Sequence, residues 1–364
     1  MSDNVKNVIV TSIFILILIL FFLINLLKKD TEISITERRK LAEFPSITIK
    51  NILDGSFEEK FEKYTTDQII KRDEFRKLKS ELELYLFRKK DNNSIYMYKD
   101  KLIKIEYPLN EKSVLNATKK INEIQKRYFS DMKCYYSIVP DKNYFTNNSE
   151  YISMDYEKLQ EIMSENIKNV QYINIFDCLN LEDYYVTDIH WKQENLQKVV
   201  ERISSKMGFY DRLNTPYEKK EIIEFNGIYS GELHTKVEKD KICVLTNNII
   251  EKSSVYNYEN GKETQIYDKS KLESYDKYDI YLSGNTPLIT ITNPNAKEDK
   301  ELIIFRDSFA SSLVPLFTEG YNKITLVDIR YMKAEDLEKY VELKNKDVLF
   351  LYSTLVLNNS SILR

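Results

Sequence analysis

A chain of 364 residues, 42% of them hydrophobic, is long enough for about two domains, or for one large α/β domain with a core of its own. Its 54 basic and 57 acidic residues nearly cancel, and no basic block carries interleaved aromatics, which argues against nucleic acid as a partner. Cys134, Cys178 and Cys243 are scattered with no Cys-x-x-Cys spacing, so neither a zinc site nor a disulfide framework is indicated, and nothing calls for a cofactor. The three thiols read as small buried hydrophobes, with a Cys134 to Cys178 bridge left open.

Val8 to Leu27 is an almost unbroken run of Ile, Leu, Phe and Val, matching the roughly 20 residues needed to cross a bilayer. Lys28 and Lys29 follow directly, with no small-x-small cleavage site, so the run reads as a retained anchor. Residues 31–90 form a helix-prone connecting arm, in which Phe57, Phe61, Tyr64 and Ile69 recur at helical spacing after the Asp54-Gly55-Ser56 turn. From residue 91 to 364 strands and helices alternate. Strands are predicted at Asn93 to Tyr98, Lys101 to Ile105, Lys133 to Val139 and Gln171 to Phe176, with helices at Glu111 to Tyr128, Met154 to Glu165 and Lys192 to Met207.

Between Glu221 and Thr292 the pattern turns β-rich, with a hairpin predicted around Glu259-Asn260-Gly261. Strands Glu301 to Phe305, Lys323 to Asp328 and Asp347 to Tyr352 then alternate with helices Ala310 to Phe317 and Lys333 to Leu343. Such alternation predicts a mostly parallel sheet with helices on both faces. The expected organisation is an N-terminal transmembrane anchor over 1–30, the arm over 31–90, and an α/β domain over 91–364 with a β-rich segment at about 221–292.

Candidate chemistry is confined by scarcity. The chain has two histidines and one tryptophan, and Thr187-Asp188-Ile189-His190-Trp191 holds one of each beside a carboxylate. Imidazole is the usual side chain for moving protons near neutral pH. The other histidine, His234, lies in Gly231-Glu232-Leu233-His234 without a matching nucleophile context. Ser308 follows the strand ending at Phe305, at the kind of strand terminus where reactive groups of parallel sheets gather. A serine needs a base, and the base a third group that fixes its tautomer; His190 and Asp188 suit those roles. The amides of Ser308 and Phe309 are candidate oxyanion donors, and Asn226 or Gly227 a candidate second donor.

Each of these residues also has a plainer reading. Asp188 and Asp307-Ser308 would serve as helix caps, Trp191 as a core or lid aromatic, Arg306 as one half of a surface ion pair, and Lys142 as a structural residue.

Several segments, taken as an ordered set from about residue 32 onward, resemble the DHHW family of bacterial proteins. They are Ile35-Thr36-Glu37-Arg38-Arg39-Lys40-Leu41-Ala42 with Phe44-Pro45, Asp54-Gly55-Ser56-Phe57, Asp67-Gln68 with Lys71-Arg72-Asp73, Val139-Pro140-Asp141-Lys142, Thr187-Asp188-Ile189-His190-Trp191 and Phe305-Arg306-Asp307-Ser308-Phe309-Ala310. That family is itself similar to the alginate O-acetylation proteins of the SGNH-hydrolase-like class.

The resemblance implies a flavodoxin-like SGNH fold in which acid and base precede the nucleophile. It implies Ser308 as nucleophile, His190 as general base and Asp188 as its orienter; Asn226, Gly227, Arg306 and Trp191 stand beside these, on the reading of the residues alone, as candidate oxyanion or substrate positions. It further implies acetyl transfer to an exported polysaccharide, with a multi-pass membrane O-acyltransferase as the supplying partner. Two departures stand out: Ile189 occupies the place where the family name has His, and Arg306 stands where the relatives carry Gly before Asp-Ser.

Orientation is contested within the sequence. Lys28, Lys29, Arg38, Arg39 and Lys40 after the span outnumber Lys6 before it, which favours a cytoplasmic domain, whereas the resemblance implies an extracytoplasmic one. Long domains translocate despite local charge, so the expectation follows the resemblance: a single-pass cell-membrane protein with its catalytic domain outside. The rival expectation is a non-catalytic cell-envelope protein that binds glycan or scaffolds a polysaccharide-modification complex.

Overall fold

The computed structural model describes residues 3–146, 151–233 and 237–364. Those residues form two compact units, one of 3–93 with 231–233 and one of 94–230 with 237–364.

The first unit begins with α1 (Asp3–Leu27), a 25-residue helix with no buried residue, long and apolar enough to cross a membrane. α2 (Ser56–Gln68) starts after Gly55, whose φ of 75° is a left-handed conformation that glycine adopts without strain. α3 (Arg72–Glu81) follows and widens into a π-helical turn over Leu82–Leu86. Charge organises the space between these elements. Arg39 donates to both oxygens of Asp67 at 2.7 and 2.6 Å, and Arg72 pairs with Glu37. The Arg39 hydrogen bonds hold the Asp67 carboxyl down at about 2.

The second unit opens on the hairpin of β1 (Ile95–Tyr98) and β2 (Lys101–Lys104), then α4 (Glu111–Tyr128), β3 (Cys134–Val139), α5 (Tyr156–Asn166), β4 (Gln171–Tyr172) and α6 (Gln197–Met207). β5 (Glu218–Phe225) and β6 (Asp240–Thr246) pair antiparallel as a separate ribbon. β7 (Ser254–Asn257), β8 (Lys262–Gln265), β9 (Leu288–Thr292), β10 (Glu301–Arg306), β11 (Lys323–Val327) and β12 (Lys346–Ser353) complete it.

The main sheet has eight strands in the order β8-β7-β9-β11-β10-β12-β3-β4. From β11 to β4 the pairings are parallel; β8, β7 and β9 run antiparallel along one edge. The architecture is therefore α/β, but the sheet is less parallel than the alternation predicts. The difference comes from the β-rich segment, whose hairpin around Gly261 (φ 68°) joins the main sheet instead of standing apart.

Period-two alternation places the core. Leu302 and Ile304 of β10 enter one apolar cluster with Val199, Val200 and Ile203 of α6, while Ile303 and Phe305 enter the opposite one with Ile121 of α4 and Leu159 of α5. Burying each such side chain stabilises the fold by roughly 1.5–3 kcal/mol. This alternation fixes the register of β10, because a one-residue slip would turn every apolar side chain to the wrong face.

Several predicted elements are shorter or tighter than expected. The strand at Gln171 stops after Tyr172, and the helix beginning at Lys192 is a 3-10 turn (Gln193–Asn195) before α6. The helix predicted from Lys333 is a 3-10 segment, Ala334–Lys339. The helix from Ala310 is one α-turn, Ala310–Leu313, that tightens into 3-10 geometry over Val314–Gly320, where Pro315 has no N–H to give an α-helical ladder. Cys134, Cys178 and Cys243 are free and buried, and burial pushes the Cys134 and Cys243 thiols up to about 12 and about 11.

Candidate active site

The serine is positioned by the sheet. β10 is paired on both sides, by β11 from Glu301 to Phe305 and by β12 from Glu301 to Arg306, so its carboxyl end is fixed and Ser308 sits two residues beyond it. Asp307 locks the turn: one oxygen accepts from the Phe309 amide at 3.0 Å and the other from the Ser353 amide, at the end of the neighbouring strand, at 2.7 Å. Asp307 thus does the capping work, which leaves the half-buried Ser308 side chain to face elsewhere.

It faces His190. Ser308 Oγ lies 2.9 Å from His190 Nε2, and His190 Nδ1 lies 2.6 Å from Asp188 Oδ1, with Asp188 and His190 both buried. Asp188 also accepts from the backbone amide of His190 at 3.2 Å and from that of Ile228 at 3.4 Å, so its carboxylate is pointed at the ring and not at the amides of α6. Residues 118 positions apart thereby form a continuous hydroxyl–imidazole–carboxylate series. Aromatic rings pack on the imidazole: Tyr278 stacks on it at 3.8 Å between centroids and 7° between planes, and Phe309 lies tilted against it at 5.0 Å. Tyr278 is held in turn by its hydroxyl, 2.9 Å from Ser312 Oγ, and burial raises that phenol well above its usual range.

Among the described residues, the segment carrying Asp188 and His190 belongs to no strand and has one isolated bridge, between Tyr184 and Trp191, with further main-chain bonds from the Leu102 amide to the Val186 carbonyl (2.9 Å) and from the Tyr229 amide to the Thr187 carbonyl (3.0 Å). Buried charges grip its backbone as well. Lys101 Nζ donates to the Tyr184 carbonyl at 3.0 Å, and Lys142 Nζ to the carbonyls of Tyr185 and Val186 at 3.1 and 3.2 Å. Asp240 accepts from the Val186 amide (2.5 Å), the Thr187 amide (2.6 Å) and the Thr187 hydroxyl (2.5 Å). Burial drives the Lys142 amine down to about 7, against the opposing pull of Asp240 and Asp188. Gly227 donates its amide to Thr187 Oγ1 at 2.6 Å, and a Cβ there would lie 2.2 Å from the Thr187 carbonyl. Glycine is required for this close approach.

Several sequence-predicted positions serve other ends. The Phe309 amide bonds Asp307 and the Gly227 amide bonds Thr187, so neither matches the oxyanion role expected of it. Trp191 is fully buried, its indole N–H shared between the Phe309 carbonyl and Ser312 Oγ at 3.0 Å each, which places it in the core and not against a substrate. Arg306 is not on the surface either. It is fully buried, with Nη1 bonded to Ser311 Oγ at 2.9 Å and Nη2 near the carbonyls of Gly284 and Thr286. Asn226 is exposed beside Gly227, and His234 lies outside the described residues. Sequence reasoning missed Asp240, Tyr278, Ser312 and Gln193, whose side-chain amide donates to the Ser312 carbonyl at 2.6 Å.

No protein-family model and no curated protein matches the chain. Solved structures do. Bacillus cereus PatB1, in a structure with a sulfonyl adduct, superposes with a TM-score of 0.58 at 18% identity, over 72% of this chain and 95% of its own. A DHHW family protein from Eubacterium siraeum superposes with a TM-score of 0.55 at 16% identity, over 74% of this chain and 92% of its own. The chain shares their fold. The O-acetyltransferase domain of Pseudomonas putida AlgJ is more remote, with a TM-score of 0.39 at 9% identity, over 68% of this chain and 82% of its own, too slight a likeness to carry an argument.

Proposed function

We propose that this chain is a membrane-anchored, extracytoplasmic O-acetyltransferase or esterase acting on cell-envelope or exported polysaccharide. The observation that carries the proposal is the unbroken series Asp188 Oδ1 to His190 Nδ1 (2.6 Å) and His190 Nε2 to Ser308 Oγ (2.9 Å). In the first half-reaction Ser308 Oγ attacks the acetyl carbonyl while His190 Nε2 takes its proton, and Asp188 steadies the imidazolium. The tetrahedral intermediate collapses to acetyl-Ser308, and the donor leaves with the proton from His190. In the second, His190 deprotonates a sugar hydroxyl, whose oxygen attacks the acyl-enzyme; the bond from the acetyl carbon to Ser308 Oγ then breaks, Oγ takes the proton back from His190, and the sugar carries the acetyl group away as a new ester. With water as acceptor the same steps hydrolyse the ester. The Ser308 amide, joined by the Asn226 side chain, is the proposed oxyanion donor set.

A multi-pass membrane O-acyltransferase is the proposed source of acetyl groups, and α1 the tether that keeps this chain beside it. The resemblance of the sequence motifs to the DHHW family supports an extracytoplasmic site. Part of the basic excess after the span is also met internally, since Arg39 is paired with Asp67.

The test is Ser308→Ala and His190→Ala in the full-length protein, assayed on a small acetyl ester. Each is expected to lower the rate by about 10⁴-fold or more without unfolding the protein. A sulfonyl fluoride should label Ser308 in the wild type and fail in His190→Ala, read by mass spectrometry. Undiminished esterase activity in Ser308→Ala sinks the triad. Absence of labelling together with retained polysaccharide binding would return the non-catalytic glycan-binding reading.

A further inference from the structure

Helix α3 is built inside out. In soluble proteins an amphipathic helix turns its apolar stripe inward. In α3 and its π-helical extension the inward positions are Arg72, Arg76 and Ser80, four residues apart. Arg72 pairs with Glu37, Arg76 with Glu232 at 3.1 Å, and Ser80 Oγ donates to the Leu233 carbonyl at 2.5 Å. The outward stripe is Phe75, Leu78, Leu82, Tyr85 and Leu86, at 47%, 50%, 39%, 72% and 66% exposure. These positions recur at three- and four-residue steps and form one contiguous apolar face.

The same helix, with the turn that leads into it, is fastened to α1. Phe75 meets Phe21 edge-on, with centroids 6.5 Å apart, and the Ile70 amide donates to Asn25 Oδ1 at 2.7 Å. Phe21 lies six residues before the end of α1, or about 9 Å along its axis. That depth falls in the range of about 5–10 Å to which interfacial helices sink their apolar faces. A polar interior and an apolar exterior at this level are what hydrocarbon demands of an element beside a spanning helix.

We propose that Arg72–Leu86 is a second membrane-seated element, lying in the lipid interface against α1 with Phe75, Leu78, Leu82 and Leu86 among the acyl chains. The occupant of the stripe is the bilayer in which α1 sits, and the Phe21 contact gives the continuity between the two. The inference rests on the reading of α1 as a span.

The test uses the full-length protein in phosphatidylcholine vesicles. All three native cysteines are buried, so a fluorophore can be attached to single introduced thiols: Leu82→Cys, Leu86→Cys, Ile19→Cys within α1, and Lys119→Cys on an exposed position of α4. Lipids brominated along the acyl chains are expected to quench most of the emission from positions 19, 82 and 86 and to leave position 119 unchanged. Quenching at 19 with water-like emission at 82 and 86 overturns the proposal while leaving the span intact. Shielded emission at 82 and 86 that bromine does not quench overturns it in favour of a protein covering the stripe, a second copy included. No quenching at 19 removes the span, and the proposal with it.

Discussion

Ser308 and His190 reach the same point by different physical means. The serine stands at the end of a strand hydrogen-bonded on both sides, with a register fixed by alternate apolar side chains in two cores. The histidine lies on a segment outside any strand, with one isolated bridge and main-chain bonds from Leu102 and Tyr229, and Lys101, Lys142 and Asp240 add side-chain bonds to its carbonyls and amides. A ladder distributes positional control over many weak bonds, whereas a charge clamp concentrates it in a few strong ones. Single substitutions should therefore be felt more keenly on the histidine side.

Asp240→Ala is the severest trial of that contrast. Removing it leaves the buried Thr187 amide and hydroxyl without their acceptor, at a cost of roughly 3–5 kcal/mol, to be read by urea unfolding. A loss under about 1 kcal/mol would show that the segment is held by packing. Gly227→Ala comes next. Its Cβ would meet the Thr187 carbonyl at 2.2 Å, so the Asp188 segment must move, and the acetylesterase rate is expected to fall about 100-fold with a stability loss of about 1–3 kcal/mol.

Trp191→Phe probes the link between the two sides, since its indole N–H reaches the Phe309 carbonyl and Ser312. A stability loss of about 1–2 kcal/mol and a smaller fall in rate than for Gly227→Ala are expected.

The remaining prediction is the pH dependence of Lys142, with an expected rise of about 2 kcal/mol between pH 7 and pH 9. Its amine titrates near 7 in the folded protein and near 10.4 when unfolded, so the unfolded chain binds the extra proton between those values. This group's contribution to stability is therefore absent below about 7, rises with pH, and is complete above about 10.4. Lys142→Met should abolish the rise, as seen by comparing urea midpoints at pH 7 and pH 9. Parallel pH profiles for wild type and variant would mean that Lys142 stays charged throughout.

Much of the site was legible because it rests on rare residues. With two histidines in the chain, Asp188-x-His190 was easy to find, and Ser308 was marked by the apolar strand before it. The clamp was illegible for the opposite reason. Asp240 sits between Lys239 and Lys241 and reads as surface charge, and it is buried because the Val186 and Thr187 amides need an acceptor, which no local pattern announces. Arg306 was misread on composition: arginine suggests solvent, but here it bonds carbonyl and hydroxyl oxygens inside the fold. The sheet was legible in its parallel part, where each strand is a short apolar run. The antiparallel edge was not, because the joining of β7 to β9 is set by long-range pairing.

The sulfur inventory has a practical corollary. Because Cys134, Cys178 and Cys243 are unlinked and shielded, with thiols at Cys134 and Cys243 held protonated by their surroundings, the molecule owes none of its cohesion to covalent staples and offers oxidants no ready thiolate. Its connectivity should be the same in reducing and oxidising milieus, and thermal melting curves with and without dithiothreitol should superimpose.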